Sequence, residues 1–278
     1  MKILRIGCVL GAFLSLVLSL SAQTLTQLHN FDAGGPVSHP DASNVQIPTA
    51  YLLLQNEDFG IINLTTGAFT RTGNTGVLLA GIGVGPNGSL YGGADYGSTF
   101  YKINSHTGSL TVVGSSSVGY FAFGSTTNGV YALDKAANLY SVSTTNATTS
   151  LIGPTGLNLN SDFIWIGLST GSSNLYCALG TGSSSTTAVL YSIDTTTGVA
   201  SEIGDTGVPD LGALVFENGT LYAGSGSVSP FSIYALDPST GLATFVTTTS
   251  AGPFWGLAPY GVGIGPHPVP CTVHGCLF

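Results

Sequence analysis

Between residues 51 and 261 the apolar positions come in short bursts separated by polar turns, and no stretch of useful length has the helical period. An apolar residue followed by Tyr marks one kind of burst: "SLYGG" (Tyr91), "GVYAL" (Tyr131), "NLYCA" (Tyr176) and "TLYAG" (Tyr222). Tyr51 in "AYLLL" falls on the same grid, whose spacing is about 40 to 46 residues. A second burst follows each: "FGIINL", "FYKIN", "LYSVS", "LYSID", "IYALD". Then come a polar turn ("LTTG", "SHTG", "TTTG", "PSTG"), a short run such as "LTVVG" or "ASEIG", and a closing burst: "LLAGIGVG", "GYFAFGS", "FIWIGLS", "LGALVF", "FWGLAP".

Four short strands in each unit of this length predict an all-β chain of propeller blades. In the closing burst, small residues recur at one register: Gly81, Ala122, Gly167, Ala213 and Gly256. Each precedes a larger apolar residue, which suits the innermost strand, here A, crowded about a central axis. The Tyr-bearing strand is B, the next C, and the outermost D. The repeats begin at a B strand (Tyr51) and end at an A strand (Trp255–Ala258). Pairing these orphans predicts five four-stranded blades, the last inner strand closing the first blade and removing exposed edges. A six-bladed ring is the alternative, with "SNVQIPT" as an additional A strand.

Asp194, in "LYSIDTTTG", has counterparts at Asn63, Asn104, Ser143 and Asp237. Asp, Asn and Ser start turns by accepting from backbone N–H groups two residues on, and a following Gly supplies the positive φ of a tight hairpin. A catalytic residue would not be copied into every blade, so Asp194 is read as turn chemistry.

Composition narrows the function classes. The chain has 278 residues, a formal charge of −8, and only 6% charged residues. Arg71, Lys102 and Lys135 are the strong cations beyond residue 5, against 13 acids. Nucleic acid and anionic lipid need a basic footprint, so neither is an expected partner. Residues 1–22 read as a signal peptide: Lys2 and Arg5, an apolar run from Ile6 to Leu20, then Ser21-Ala22. No membrane span is expected after cleavage, and the location is secreted or periplasmic. Residues 23–50 form an N-terminal extension, 51–261 the propeller, and 262–278 a tail containing Pro and Cys. Cys271 and Cys276 close a short loop in that tail and are expected to form a disulfide, with Cys177 buried in a strand. The tail's His267, Cys271, His274 and Cys276 match no standard zinc spacing.

The pattern "G-[IL]-A-F … G-x-L-Y-x … L-Y-x-I-D-x-x-T-G-x-x-x-x-I-G" resembles the repeats of exported bacterial β-propeller proteins over 51–261. The resemblance implies export and a propeller and names no substrate. Members of that group often end in a Val-Pro-Glu-Pro sorting signal, an apolar helix and a basic tail; "GPHPVPCTVHGCLF" departs from this.

In a propeller the D–A and B–C loops share one face. Glu57, Asp58, Asp95, Asp134, Asp162, Asp205 and Asp210 fall on that face, and Asp194, Asp237 and Glu217 on the other. Glu57, Asp58, Asp95, Asp162, Asp205 and Asp210 are the candidate ligand- or cation-binding residues. Such acids, with carbonyls, are the chemistry of a Ca²⁺ site, and mutual repulsion is expected to raise their pKa values. The competing expectation is ordinary solvated loops. The function expected is a secreted, non-catalytic binding or scaffold module whose partner is a polysaccharide or cell-surface protein. The alternative is a carbohydrate-active hydrolase with Asp162 and Asp210 as its acid–base pair. The repeats place no His on this face, which argues against a histidine-based lyase or lactonase.

Overall fold

The computed structural model describes residues 47–159, 165–169, 171–180, 186–226 and 229–261. The segment expected to be a signal peptide, the extension to residue 46, Asp162 and the tail with Cys271 and Cys276 lie outside the described residues.

Among the described residues, twenty strands form five four-stranded antiparallel sheets, the blades of a propeller. Blade I is β1 (Thr49–Leu54), β2 (Asp58–Asn63) and β3 (Phe69–Asn74); blade II is β4 (Leu79–Val84), β5 (Leu90–Ala94), β6 (Thr99–Ile103) and β7 (Leu110–Ser115). Blade III is β8 (Ala122–Thr126), β9 (Gly129–Leu133), β10 (Asn138–Val142) and β11 (Thr149–Pro154). Blade IV is β12 (Trp165–Leu168), β13 (Leu175–Gly180), β14 (Val189–Ile193) and β15 (Ala200–Asp205). Blade V is β16 (Leu211–Glu217), β17 (Thr220–Ser225), β18 (Phe231–Leu236) and β19 (Ala243–Thr249).

The last strand, β20 (Phe254–Pro259), is the innermost strand of blade I, in the order β20-β1-β2-β3. Ala50 pairs with Pro259 and Leu52 with Leu257. This occupies the edge of β1 that a sixth blade's strand would need, so the six-bladed alternative is not realised. Residues 49 and 50 belong to β1 rather than to the extension.

The sequence pattern follows from the packing. Inner strands are walled in by neighbouring blades, so β4 and β8 are buried at every position. Outer strands β3, β7 and β15 are never fully buried, and each exposes its second, third and sixth residues. Each of the five interfaces between blades holds one apolar cluster. Phe59, Phe100, Phe123 and Phe254 are fully buried in these clusters. Each contributes about 2–3 kcal/mol of burial.

The small residues of the inner strands are steric necessities. A Cβ on Gly81 would lie 2.5 Å from Phe123 O, and one on Gly256 3.0 Å from Ile82 N. Cys177 is buried in the cluster between blades III and IV, and burial pushes its thiol up to about 12.

The C–D hairpins interlock neighbouring blades. Asn63 Oδ1 accepts from Thr65 N at 2.9 Å and Thr66 N at 3.0 Å; Asp194 Oδ1 accepts from Thr196 N at 2.7 Å. Asn104, Ser143 and Asp237 do the same. The fifth residue of the turn has positive φ in every blade: Gly67, Gly108, Ala147, Gly198 and Gly241. The residue before it presses on the outer strand of the preceding blade. A Cβ on Gly153 would meet Thr197 O at 2.3 Å, and one on Gly204 would meet Thr240 O at 2.3 Å.

Candidate functional site

The central channel opens on two faces. On the A–B hairpin side, a depression of about 450 Å³ is lined by uncharged residues including Val84, Pro86, Thr126 and Pro259. On the B–C and D–A side, the mouth narrows to about 60 Å³. Its wall takes one residue from beside the small position of each blade: Ala80, Phe121, Ile166, Gly212 and Trp255. Asp95 and Tyr96 complete it from the B–C loop of blade II.

That loop is fastened to two blades. The backbone N–H of Asp95 donates to Leu78 O at 2.9 Å, Tyr96 N–H to Tyr120 O at 2.8 Å, and Tyr120 N–H back to Gly97 O at 2.8 Å. Asp95 and Tyr120 form an isolated parallel bridge between blades II and III. Tyr96 is held at φ 53° and is 66% exposed. Its ring meets Phe121 edge-on, with centroids 5.5 Å apart. Burial pushes the Asp95 carboxyl up to about 6, against a small lowering from the Tyr96 backbone N–H. Beyond Tyr96 and Phe121 a second depression of about 400 Å³ runs to Asp134 and Lys135.

The other predicted acids are placed differently. Asp58 pairs with Arg71, Oδ1 to Nε 2.5 Å, and this partner with Asn74 and Asn56 holds its carboxyl below the usual range. Asp205 Oδ1 accepts from Gly207 N at 2.8 Å, and Thr187 Oγ1 donates to its Oδ2 at 2.6 Å; these bonds lower its pKa. Asn74 caps Gly76 in the same way, so Asp205 is a turn residue. Glu57 is the positive-φ residue of a B–C hairpin, and its carbonyl accepts from the buried Thr75. Asp134 accepts from the backbone of Ala136 and Asn138 and from Tyr140 Oη. Asp210 is buried just before β16, packed on Gly180 of blade IV, and does not line the mouth. Its proposed partner, Asp162, lies outside the described residues.

The expected mutual repulsion is therefore not the force at work. Asp95 is raised by desolvation, while Asp58 and Asp205 are lowered by their hydrogen-bond donors. Among the described residues no three Asp, Glu, His or Cys side chains come close enough to hold a metal ion. On the opposite face Glu217, 8% exposed at the end of β16, is raised to about 7 by burial.

Tyr96 and Phe121 escaped the sequence reading, which singled out acids. Two signals could have found them. "GADYGST" is unlike the other B–C loops, and Phe121 and Trp255 stand at one register beside the small residues of the A strands.

No family model matches the chain, and no curated protein does. Solved structures match it by shape. One, from a nidogen/laminin complex, has 10% identity and a TM-score of 0.52, covering 76% of this chain and 97% of that one. A protein provisionally assigned as a 6-phosphogluconolactonase from Bacteroides fragilis has 10% identity and a TM-score of 0.45, covering 78% and 99%. Hydrazine synthase from Kuenenia stuttgartiensis has 15% identity and a TM-score of 0.39, covering 60% and 47%. At such identities the likeness is one of fold. No helix among the described residues is long and apolar enough to cross a membrane.

Proposed function

We propose that this chain is an exported, non-catalytic binding propeller whose ligand docks at the narrow mouth, and that the ligand belongs to a polysaccharide or a cell-surface protein. The observation that carries the reading is Tyr96. It is a bulky residue held at positive φ, largely exposed, and fastened by backbone hydrogen bonds to two blades above a half-buried carboxyl. That conformation costs about 1–2 kcal/mol, and such strain gathers at ligand clamps and active sites. A rigid aromatic presented at little further entropic cost is a binding anchor.

Glycoside cleavage needs two carboxyl groups about 5–9.5 Å apart across the bond. Asp58, Asp134 and Asp205 are committed to an ion pair and to turns. Among the described residues at the mouth, Asp95 has aromatic rather than acidic neighbours. The similar fold in a nidogen/laminin complex is compatible with a protein ligand, by fold analogy alone.

The test is retention of the full chain on polysaccharide gels and on intact microbial cells, with released reducing ends measured in parallel. Retention without release is expected, falling at least about tenfold in Tyr96→Ala. Sugar release abolished by Asp162→Asn or Asp210→Asn would make the chain a hydrolase instead. Retention indifferent to Tyr96→Ala would move the ligand elsewhere.

A further inference from the structure

The narrow mouth combines three features that together select a ligand. The charged side chain in its wall is a half-buried carboxyl, Asp95. Around that carboxyl stand three aromatic residues from three blades: Tyr96 of blade II, Phe121 of blade III and Trp255 of blade I. Its volume of about 60 Å³ is well below the roughly 150 Å³ of a cavity that holds a benzene ring. Aromatic faces beside a carboxylate attract organic cations, through the ring quadrupoles and the opposite charge. A volume this small suits the end of a linear chain better than a ring.

We infer that the mouth receives the ammonium end of a lysine side chain presented by a partner protein. This rests on the binding reading above and deepens it by choosing the partner class. The lysine stem would lie along Tyr96 and Phe121, apolar methylenes against ring, with the head at Asp95. The chain's excess of acids would draw a basic partner toward it. Residues flanking the lysine would occupy the adjoining depression of about 400 Å³, which begins at the same Tyr96 and Phe121.

Binding must then require ionised Asp95. The titratable side chains against it are Tyr96 on its own loop and Tyr120 across the bridge. Asp134 and Lys135 stand along the adjoining depression, and Asp210 is buried two residues before Gly212. The carboxyl's value of about 6 leaves it about nine-tenths ionised at pH 7 and one-tenth at pH 5.

The experiment titrates the full chain with acetyl-Gly-Lys-Gly-amide and follows the Trp255 indole N–H by NMR, its signal assigned with Trp255→Phe. Comparison arms are the norleucine tripeptide, in which a methyl replaces the ammonium, and glucosamine, whose amine sits on a ring. The lysine peptide should give a saturable shift. The norleucine peptide should bind at least about tenfold more weakly, and Asp95→Asn should weaken the lysine peptide to the same degree. Between pH 7 and pH 5 the wild-type affinity should fall about tenfold. Tyr96→Phe should keep binding and Tyr96→Ala should lose it, with thermal melts confirming that each variant is folded.

Equal binding of the norleucine peptide, no effect of Asp95→Asn in a folded variant, or preference for glucosamine each overturns the inference. If the lysine peptide is silent while Tyr96→Ala still abolishes retention on cells, the lysine inference fails and the binding propeller stands. If both are negative, the binding reading fails too.

Discussion

Strand C lies between two connections, and among the described residues the two ends behave differently. At the C–D end a side-chain acceptor and a positive-φ residue appear five times, and in four of the blades a backbone carbonyl of the turn presses on the blade before. At the B–C end the loops diverge. Glu57, Tyr96 and Ala137 all take up positive φ within B–C turns, but the turn of blade II places Asp95 and Tyr96 over the channel and bridges to blade III. Chemistry repeated in all blades is therefore about the ring, and chemistry found in one blade is where recognition is sought. Acidity alone does not distinguish the two, since Asp194 and Asp95 are both carboxylates in loops.

Substitutions at the repeated end should have the largest effect on stability. Gly198→Ala puts a Cβ 2.7 Å from Gly153 O at a φ of 85°. Left-handed strain plus overpacking should cost about 2–4 kcal/mol, read as a lower denaturant midpoint. A midpoint within error of wild type would mean that this interlock is slack. Asn63→Ala removes the acceptor of Thr65 N and Thr66 N and should cost about 1 kcal/mol by the same measurement.

At the singular end the sign should reverse. Tyr96→Gly relieves a left-handed tyrosine and should stabilise by about 0.5–1 kcal/mol while abolishing retention of ligand. Loss of stability there would place Tyr96 with the repeated devices. Asp95→Asn sharpens the point through pH. The folded carboxyl has its pKa raised to about 6, so the folded state holds the proton more tightly than the unfolded one. Its contribution to stability is present below pH 4 and is lost as pH rises through 6. Asp95→Asn should therefore melt slightly above wild type at pH 7, and the difference should vanish below pH 4. Asp194 and Asp237 have lowered values. Their contribution runs the other way: present above the ordinary carboxylate range, lost on acidification through the lowered values.

Ala147→Gly should have the smallest effect. Ala147 is the one non-glycine at the turn's fifth residue, at φ 63°, yet its methyl is fully buried between blades II and III. Relief of strain and loss of burial nearly cancel, so thermal melts should agree to within about 1 kcal/mol.

These contrasts explain what the sequence could tell. The offset closure was legible because the repeats leave one unmatched strand at each end, and blade number and the role of Asp194 because each is written five times. The crowded axis was legible from Gly81, Ala122, Gly167, Ala213 and Gly256 for the same reason. Asp205 was sorted with the candidate ligands because its equivalence to Asn74 appears only when Gly76 and Gly207 are seen to be capped alike. The convergence of Asp95, Tyr96, Phe121 and Trp255 was not legible. These residues come from three blades, and only closure of the ring brings Trp255 beside Tyr96.

That closure also fixes an order in time. The latch between β20 and β1 joins Ala50 to Pro259. A nascent chain therefore carries β1 as an open sheet edge until nearly all of the propeller has been synthesised. A truncation before residue 254 leaves a permanent template for strand addition by another molecule.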